Sequence, residues 1–444
     1  MTTRPARTDR VPRRIIVAGA GLAATQTVAA LREHGFDGHL AVLGAEALAP
    51  YDRPPLSKHL LDRPHPTFLS TELGVDIQSL ADEVHLGAPA TALRVDDHGV
   101  EVDAGQTHRG DAVVIATGAR ARRIAGWEHA LVLHTADDAA ALRARLVPGA
   151  RLVVIGAGWI GSEVAGVASA AGVDVTVLEA APSPLAGAVG ATVGRLATPW
   201  FAAAGVRLRT GVLVERVEPD AVVLAGGERL PADVVLAAVG AEPATSWLAG
   251  ALTRDADGSI RVDETYTALG PRGDEAGAQG WRVRAVGDVA KRRSRRHGWV
   301  PGGHWDAALR GPVELVADLL DPDRGPVLVP GADSMAVPAA DPPVDPAADP
   351  APYVFSTQLG HELTLFGLPG RDDDVVLRGD PDAGDGWSAL WHRPGTGTLT
   401  ALLTVDRPRD VGAARRLFGA PDLPHVDLAL ASDANRPLKA ALRP

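Results

Sequence analysis

Two short apolar runs constrain this chain more than anything else in it. Each closes on a glycine-spaced turn, and each is followed by a segment of helical period. The first is Ile15-Ile16-Val17-Ala18 running into Gly19-x-Gly21-x-x-Ala24; the second is Leu152-Val153-Val154-Ile155 running into Gly156-x-Gly158-x-x-Gly161. Continuous apolar runs bounded by glycine suit strands buried on both faces of a parallel sheet. The patterning then predicts helices over 22–34 and 159–171 and further strands over 40–43 and 173–178, a strand–helix–strand unit twice over. In such a turn the first glycine makes the bend, and the second lets the backbone approach a pyrophosphate. The small third residue lets helix and strand pack closely, with phosphates at the helix N-terminus. Either pattern alone is compatible with a plain tight turn; in this context each predicts a bound dinucleotide.

Three later runs also close on glycine, at 112–118, 233–240 (ending at Gly240) and 283–288. The first two come late in their units, where the chain would pass to a neighbouring domain, and the third would bring it back. The expected organisation is a discontinuous first domain, 12–120 and 252–320, with a second dinucleotide domain, 121–251, inserted in it. The segment 321–351 is full of Asp-Pro and Ala-Pro pairs and reads as an extended, stiff linker. Beyond it, 353–366 and 399–405 pattern as strands of a small C-terminal domain at 352–444. Three domains suit a length of 444 residues.

The chain has no cysteine. That excludes a redox-active disulfide, a cysteine-sulfenate centre and any cysteine-ligated iron–sulfur cluster within the chain. Electron chemistry here needs a bound organic cofactor or a partner protein. A formal net charge of -11 argues against non-specific nucleic-acid binding, which rests on clustered Lys and Arg. None of the 14 histidines forms a helix-spaced pair with a carboxylate, so no metal site is expected. No apolar run approaches the roughly 20 residues that span a bilayer. Residues 1–14 are polar and basic and run straight into the first strand, which reads as a tail rather than a targeting signal and points to the cytoplasm.

Glu179 ends the strand after the second fingerprint, eighteen residues beyond Gly161. A carboxylate there accepts the ribose hydroxyls of NAD and repels a 2′-phosphate, and Ala180 and Ala181 supply no cation for that phosphate. NADH is therefore favoured over NADPH, unless Glu179 is only a surface strand-end charge. The candidate for the matching acid in the first unit is Glu46. Glu46 follows Leu43-Gly44-Ala45, slightly late, and reads equally as a ribose ligand or a solvated loop charge. Asp288, after Gly287, is either a cofactor ligand or a turn carboxylate.

About thirty residues after the first fingerprint comes Pro50-Tyr51-Asp52-Arg53-Pro54-Pro55-Leu56-Ser57-Lys58, a proline-set loop ending in a cation. With the two fingerprints and Gly287-Asp288, it resembles the FAD-dependent ferredoxin reductases that feed Rieske oxygenases and cytochromes P-450. Ala116-Thr117-Gly118-Ala119-Arg120, Gly161-Ser162-Glu163-Val164-Ala165, His304-Trp305 with Ala308, and Tyr353–Gly360 carry the same resemblance. It covers most of 14–320 and, more weakly, 352–444. It implies an α/β fold with two Rossmann-like domains of glutathione-reductase type plus a small α+β C-terminal domain.

By the same resemblance, FAD sits in the first site and NADH in the second. Gly19, Gly21, Ala24, Glu46, Arg53, Lys58, Thr117, Gly118, Arg120, Gly287, Asp288 and Trp305 would serve FAD, with Lys58 at the flavin N5 edge. Gly156, Gly158, Ile160, Gly161, Glu179 and Gly240 would serve NAD. Reducing a flavin adds negative charge to its ring, so a nearby cation favours the reduced form. Glu163 is expected to pair with Lys58 across the two domains, or else to be an exposed helix glutamate. Lys58, Glu163 and Trp305 are thus the candidate catalytic residues.

The electron acceptor would be a small acidic 2Fe–2S ferredoxin. The basic run Lys291, Arg292, Arg293, Arg295, Arg296 reads either as its docking patch or as a solvated loop. The chain departs from the family near that end: Pro301 and Gly303 replace an Arg and a Glu, Arg310 replaces a Gln, and Phe355-Ser356-Thr357-Gln358 stands for Trp-Ser-Asp-Gln. Two alternatives follow from those departures, an NADH oxidase using oxygen or a quinone, and an NADH-sensing flavoprotein resembling apoptosis-inducing factor.

Overall fold

The strand Arg14–Ala18 is hydrogen-bonded on both sides, in parallel, to His39–Leu43 and Ala112–Ile115. Glu83–His85 and Val283–Ala285 complete the sheet at its two edges, giving five parallel strands. The computed structural model describes residues 11–270, 280–321 and 350–443. Most of the basic N-terminal segment and most of the proline-rich stretch at 321–351 lie outside those residues.

The second unit repeats the arrangement. Arg151–Ile155 lies between Asp174–Glu179 and Val234–Ala237, with Arg207–Thr210 beyond, all parallel. The repetition extends to individual hydrogen bonds. Gly19 N donates to Leu43 O and Ala116 N to Ala18 O; Gly156 N donates to Leu178 O and Ala238 N to Ile155 O, all at 2.7–2.8 Å. Each unit also carries a three-stranded antiparallel meander, Ala92–Asp96 to Thr107–Gly110 in the first and Val214–Glu218 to Arg229–Pro231 in the second.

The two passages between the units lie side by side. Ala119–Ala121 pairs antiparallel with Ala241–Pro243. After them, Val283–Ala285 pairs with Ala112–Ile115, and the helix Trp305–Leu320 packs on Leu22–Glu33, so the late chain is built into the first unit.

The C-terminal unit is a five-stranded antiparallel sheet in the order Tyr353–Gln358, His361–Gly367, Leu399–Val405, Trp387–His392, Asp374–Arg378, with the helix Pro408–Phe418 against it. Leu359 and Gly360 turn the first hairpin with φ of 51° and 90°. Two positive φ values match the right-handed twist of the flanking strands. One face of this sheet packs Leu363, Trp387 and Leu403 against Leu185, Val189 and Trp200 of the second unit. Buried Arg378 is held by Asp410 and by the backbone carbonyls of Ala431, Asp433 and Arg436, which closes the other end.

Candidate functional site

Both helices that follow the glycine turns begin without a side-chain cap. Gly21 and Gly158 are the cap residues of the 12-residue helices Leu22–Glu33 and Trp159–Ala170, and neither offers a side-chain acceptor. The first-turn N–H groups are thereby left to a ligand. A Cβ added at Gly21 or Gly158 would meet no atom within 4 Å, so each glycine faces open space over its helix end. At Gly19 and Gly156 the situation is reversed. Their φ values are 123° and 103°, and a Cβ would fall 2.1 Å from Ala116 O and 2.4 Å from Ala238 O. The outer glycines make the close packing, and the middle glycines leave the space. This geometry fits a pyrophosphate at both turns.

The loop between Pro50 and Lys58 is placed by packing. Leu56 and Leu60 are buried in one core cluster with Val164, Ala165 and Ala168 of the second fingerprint helix. Burying two leucines contributes roughly 3–6 kcal/mol as an upper estimate, whereas the attraction within a buried ion pair is largely offset by the cost of desolvating its charges. Lys58, on the short helix Pro55–Lys58, is thereby brought against the other unit, where Nζ is paired with Glu163. The pairing expected from sequence is present.

Glu163 is 5% exposed and has two further donors. Ser57 Oγ donates to Oε2 at 2.5 Å, and Ser356 Oγ donates to Oε1. Ser356 in turn receives Gln358 Nε2 at 3.1 Å. Three parts of the chain therefore meet at one carboxylate. The sequence reading missed both serines, although Ser57 lies inside the loop motif and Ser356 inside Tyr353–Gly360.

Aromatic rings lie beside this junction. Lys58 Nζ is 5.3 Å from the Phe355 ring centroid, and Phe355 meets Trp305 edge-on at 6.1 Å. Trp305 Nε1 donates to Asp52 Oδ1 at 2.9 Å, tying the start of the helix Trp305–Leu320 to the same loop. Burial pushes the Asp52 carboxyl above its ordinary pKa, against the Trp305 hydrogen bond.

Arg53 and Glu46 form one network. Arg53 donates to Glu46 Oε1 at 2.7 Å, to His134 O at 2.5 Å and to Tyr51 Oη at 3.3 Å. Tyr51 donates to Glu46 and receives Ala136 N at 2.9 Å. Burial is the main reason that the Tyr51 hydroxyl is pushed up to about 12. Glu46 is therefore a paired carboxylate beside the first fingerprint, not a free loop charge.

Asp288 lies beyond that turn. A Cβ on Gly287 would stand 3.0 Å from Ala23 Cβ, which brings this segment onto the first turn of the fingerprint helix. Asp288 Oδ1 accepts Gly303 N at 3.1 Å, and burial raises its pKa.

In the second unit, Glu179 accepts Ala157 N and Ala181 N, both at 2.7 Å, so its carboxylate is fixed against the fingerprint loop. Ile160 stands 44% exposed on the first helical turn. Gly240 has a φ of 93°, and its carbonyl accepts Arg122 N. Thr117 Oγ1 donates to Ala244 O, and Gly118 O accepts Ala244 N. Arg120 is taken up by Glu242 in an exposed pair on the two-strand crossover.

The basic run needs a correction. It does not present five cations to solvent. Lys291 is paired with Asp255 and Asp257, Arg292 is buried, and buried Arg296 donates to Phe418 O and Ala420 O. Only Arg293, paired with Glu264, and Arg295 are exposed. The cause is strand alternation in Ala290–Ser294, which turns every second side chain inward.

His304 precedes Trp305 with both ring nitrogens buried and without partners among the described residues. Burial pulls its pKa down to about 4, and burial with nearby Arg53 does the same for His134. The unfolded chain, with histidines near 6.5, takes up protons first as pH falls. Stability from these groups is therefore complete above about pH 6.5 and is lost toward pH 4. A His304→Gln variant is expected to flatten the fall in unfolding free energy between pH 7 and 4.5 by ~1–2 kcal/mol. Urea titrations at a series of pH values check this; an unaltered slope would contradict it.

Comparison with known proteins agrees with this architecture. Residues 13–301 match the pyridine nucleotide-disulphide oxidoreductase family, and residues 353–442 match the reductase C-terminal domain. The chain is 32% identical over 423 residues to the anthranilate 1,2-dioxygenase system ferredoxin–NAD(+) reductase component of Burkholderia cepacia, covering 92% of this chain and 95% of that one. The biphenyl dioxygenase system ferredoxin–NAD(+) reductase component of Paraburkholderia xenovorans is 31% identical, with 91% and 93% covered. Putidaredoxin reductase, in its covalent complex with putidaredoxin, superposes with a TM-score of 0.76 at 27% identity over 96% of this chain and 97% of that one.

Proposed function

This chain belongs to the pyridine nucleotide-disulphide oxidoreductase family, and from that membership we propose that it is a cytoplasmic NADH-dependent reductase that holds FAD and passes electrons to a small 2Fe–2S ferredoxin serving an oxygenase. The family name includes a disulphide, but this chain has no cysteine, so electrons must leave without a thiol step. The reductases of two dioxygenase systems and the putidaredoxin complex support a ferredoxin as acceptor. One observation carries the reading: Lys58 from the first dinucleotide unit is fixed by Glu163 from the second, at their shared boundary.

In this reading residues 12–120 and 252–320 hold FAD, and residues 121–251 hold NADH. FAD, when bound, supplies the chemistry that accepts a hydride from NADH and releases its two electrons singly. The protein's part is to hold and orient. Gly19, Gly21 and Ala24 receive the FAD pyrophosphate, with Glu46 and Arg53 on the ribose side. Thr117, Gly118 and Arg120 carry the backbone past the cofactor, and Gly287 and Asp288 receive the ribityl chain. Lys58 presents its charge to the flavin, and Trp305 walls the ring. Gly156, Gly158 and Gly161 receive the NADH pyrophosphate, with Ile160 and Gly240 lining the nicotinamide side. Within the basic run, Arg293 and Arg295 are the exposed cations that would meet an acidic ferredoxin, so its reduction should slow as salt is raised.

Heat-released cofactor identified by chromatography, together with NADH-driven reduction of a 2Fe–2S ferredoxin, tests the proposal; a chain that releases no FAD would refute it. Nicotinamide choice rests on Glu179. Replacing Glu179 with Ala and Ala180 with Arg is expected to raise the NADPH/NADH ratio of kcat/KM by at least about tenfold, because a 2′-phosphate then gains a cation and loses a repelling carboxylate. An unchanged ratio would remove Glu179 from the ribose site.

A further inference from the structure

We propose that Glu83, His85 and His108 form a binding site for a zinc-class divalent metal ion at the edge of the first parallel sheet. Glu83 and His85 are two residues apart on the strand Glu83–His85, so their side chains leave the same face. His108 comes from Thr107–Gly110, a strand of the meander that contacts Arg14–Ala18 of that sheet. One ligand atom from each of the three lies within 4.8 Å of the others. His85 Nε2 is 3.2 Å from Glu83 Oε2, and the His85 and His108 rings are 4.7 Å apart between centroids. A further imidazole, His39 Nε2, is 3.0 Å from Glu83 Oε1, and Arg14 approaches the same oxygen at 3.9 Å.

The second observation is His108 itself. It is 7% exposed, and its Nε2 is buried with no hydrogen-bond partner among the described residues. A buried ring nitrogen left without a partner is costly, and a coordinated cation removes that cost.

Two imidazoles and a carboxylate, with no thiolate, suit Zn²⁺ and its neighbours in the first row rather than Ca²⁺ or Mg²⁺, which take oxygen ligands. The sequence scan for helix-spaced histidine pairs passed over this cluster because its ligands come from two strands. The bound ion would clip the sheet edge to the meander. It would also brace the Glu46 segment, because His85 O accepts Gly44 N and Gly87 N donates to Glu46 O.

The test uses the untagged, FAD-loaded full chain, stripped with a chelator, dialysed and titrated with zinc chloride by calorimetry. The expected result is one equivalent bound at micromolar affinity or tighter, with imidazole scattering from two histidines in the zinc-edge absorption spectrum. His85→Gln is expected to weaken binding by at least about tenfold, since losing a ligand costs more than losing an outer hydrogen-bond partner. His108→Gln should do the same; if that buried change prevents folding, His85→Gln and the wild-type spectrum decide the matter. No zinc bound, a spectrum without imidazole, or unchanged affinity in His85→Gln overturns the proposal.

Discussion

A Gly19→Val chain is expected to purify without flavin colour. The reason is local and severe. Gly19 has a φ of 123°, a region closed to β-branched residues, and its added Cβ would lie 2.1 Å from Ala116 O. That carbonyl cannot easily retreat, because Ala116 N is bonded to Ala18 O and Gly19 N to Leu43 O, each at 2.7 Å. Backbone strain and overpacking each cost about 1–3 kcal/mol, enough to displace the turn that receives the pyrophosphate. A loss of FAD affinity of ~100-fold or more follows from energies of that size.

Gly21→Ala separates cofactor binding from folding. Its φ is −92° and its Cβ meets nothing, so the melting temperature of the apoprotein should hold while FAD affinity falls. Flavin absorbance per chain and apoprotein melting measure the two effects. A Gly19→Val protein that retains stoichiometric flavin would refute the assignment of this turn.

Replacing Glu163 with Gln should slow flavin reduction by NADH by ~10–100-fold while leaving FAD bound, since a displacement near 1 Å in a reacting geometry costs about that much. The amide keeps the shape and can still meet Ser57 and Ser356, but it removes the charge that fixes Lys58 Nζ. Deleting one partner of a buried pair outright costs roughly 3–5 kcal/mol; Gln limits the loss because its hydrogen bonds persist. The expected signature is slower reduction at saturating NADH with a small change in melting temperature. An unchanged reduction rate would make the Lys58–Glu163 pair a structural clasp only.

Much of this was legible in the chain because glycine turns record close contacts. Gly19 and Gly156 are set by one approach each, to Ala116 O and Ala238 O, and any larger residue would have erased the signal. The Lys58–Glu163 pair was readable only by resemblance, since the residues lie 105 apart and nothing local links them. Ser57 and Ser356 were not readable as its partners, because a hydroxyl in a loop or strand carries no periodic signature. The basic run was the clearest misreading. A count of charges cannot tell a solvent-facing Arg293 from a buried Arg292 one residue away, nor that Arg296 reaches the carbonyls of Phe418 and Ala420. Glu83, His85 and His108 lay hidden for the opposite reason, being assembled from strands rather than from one helix.

The most direct test of the central claim is anaerobic stopped-flow mixing of the flavin-loaded protein with NADH, followed by mixing with a 2Fe–2S ferredoxin. The account predicts rapid bleaching by NADH, much slower bleaching by NADPH, and then fast reoxidation by ferredoxin at a rate that falls with added salt. Rapid bleaching with no electrons passed to any 2Fe–2S ferredoxin would contradict it, and would turn attention to Pro301, Gly303 and Thr357 as the residues that changed the acceptor.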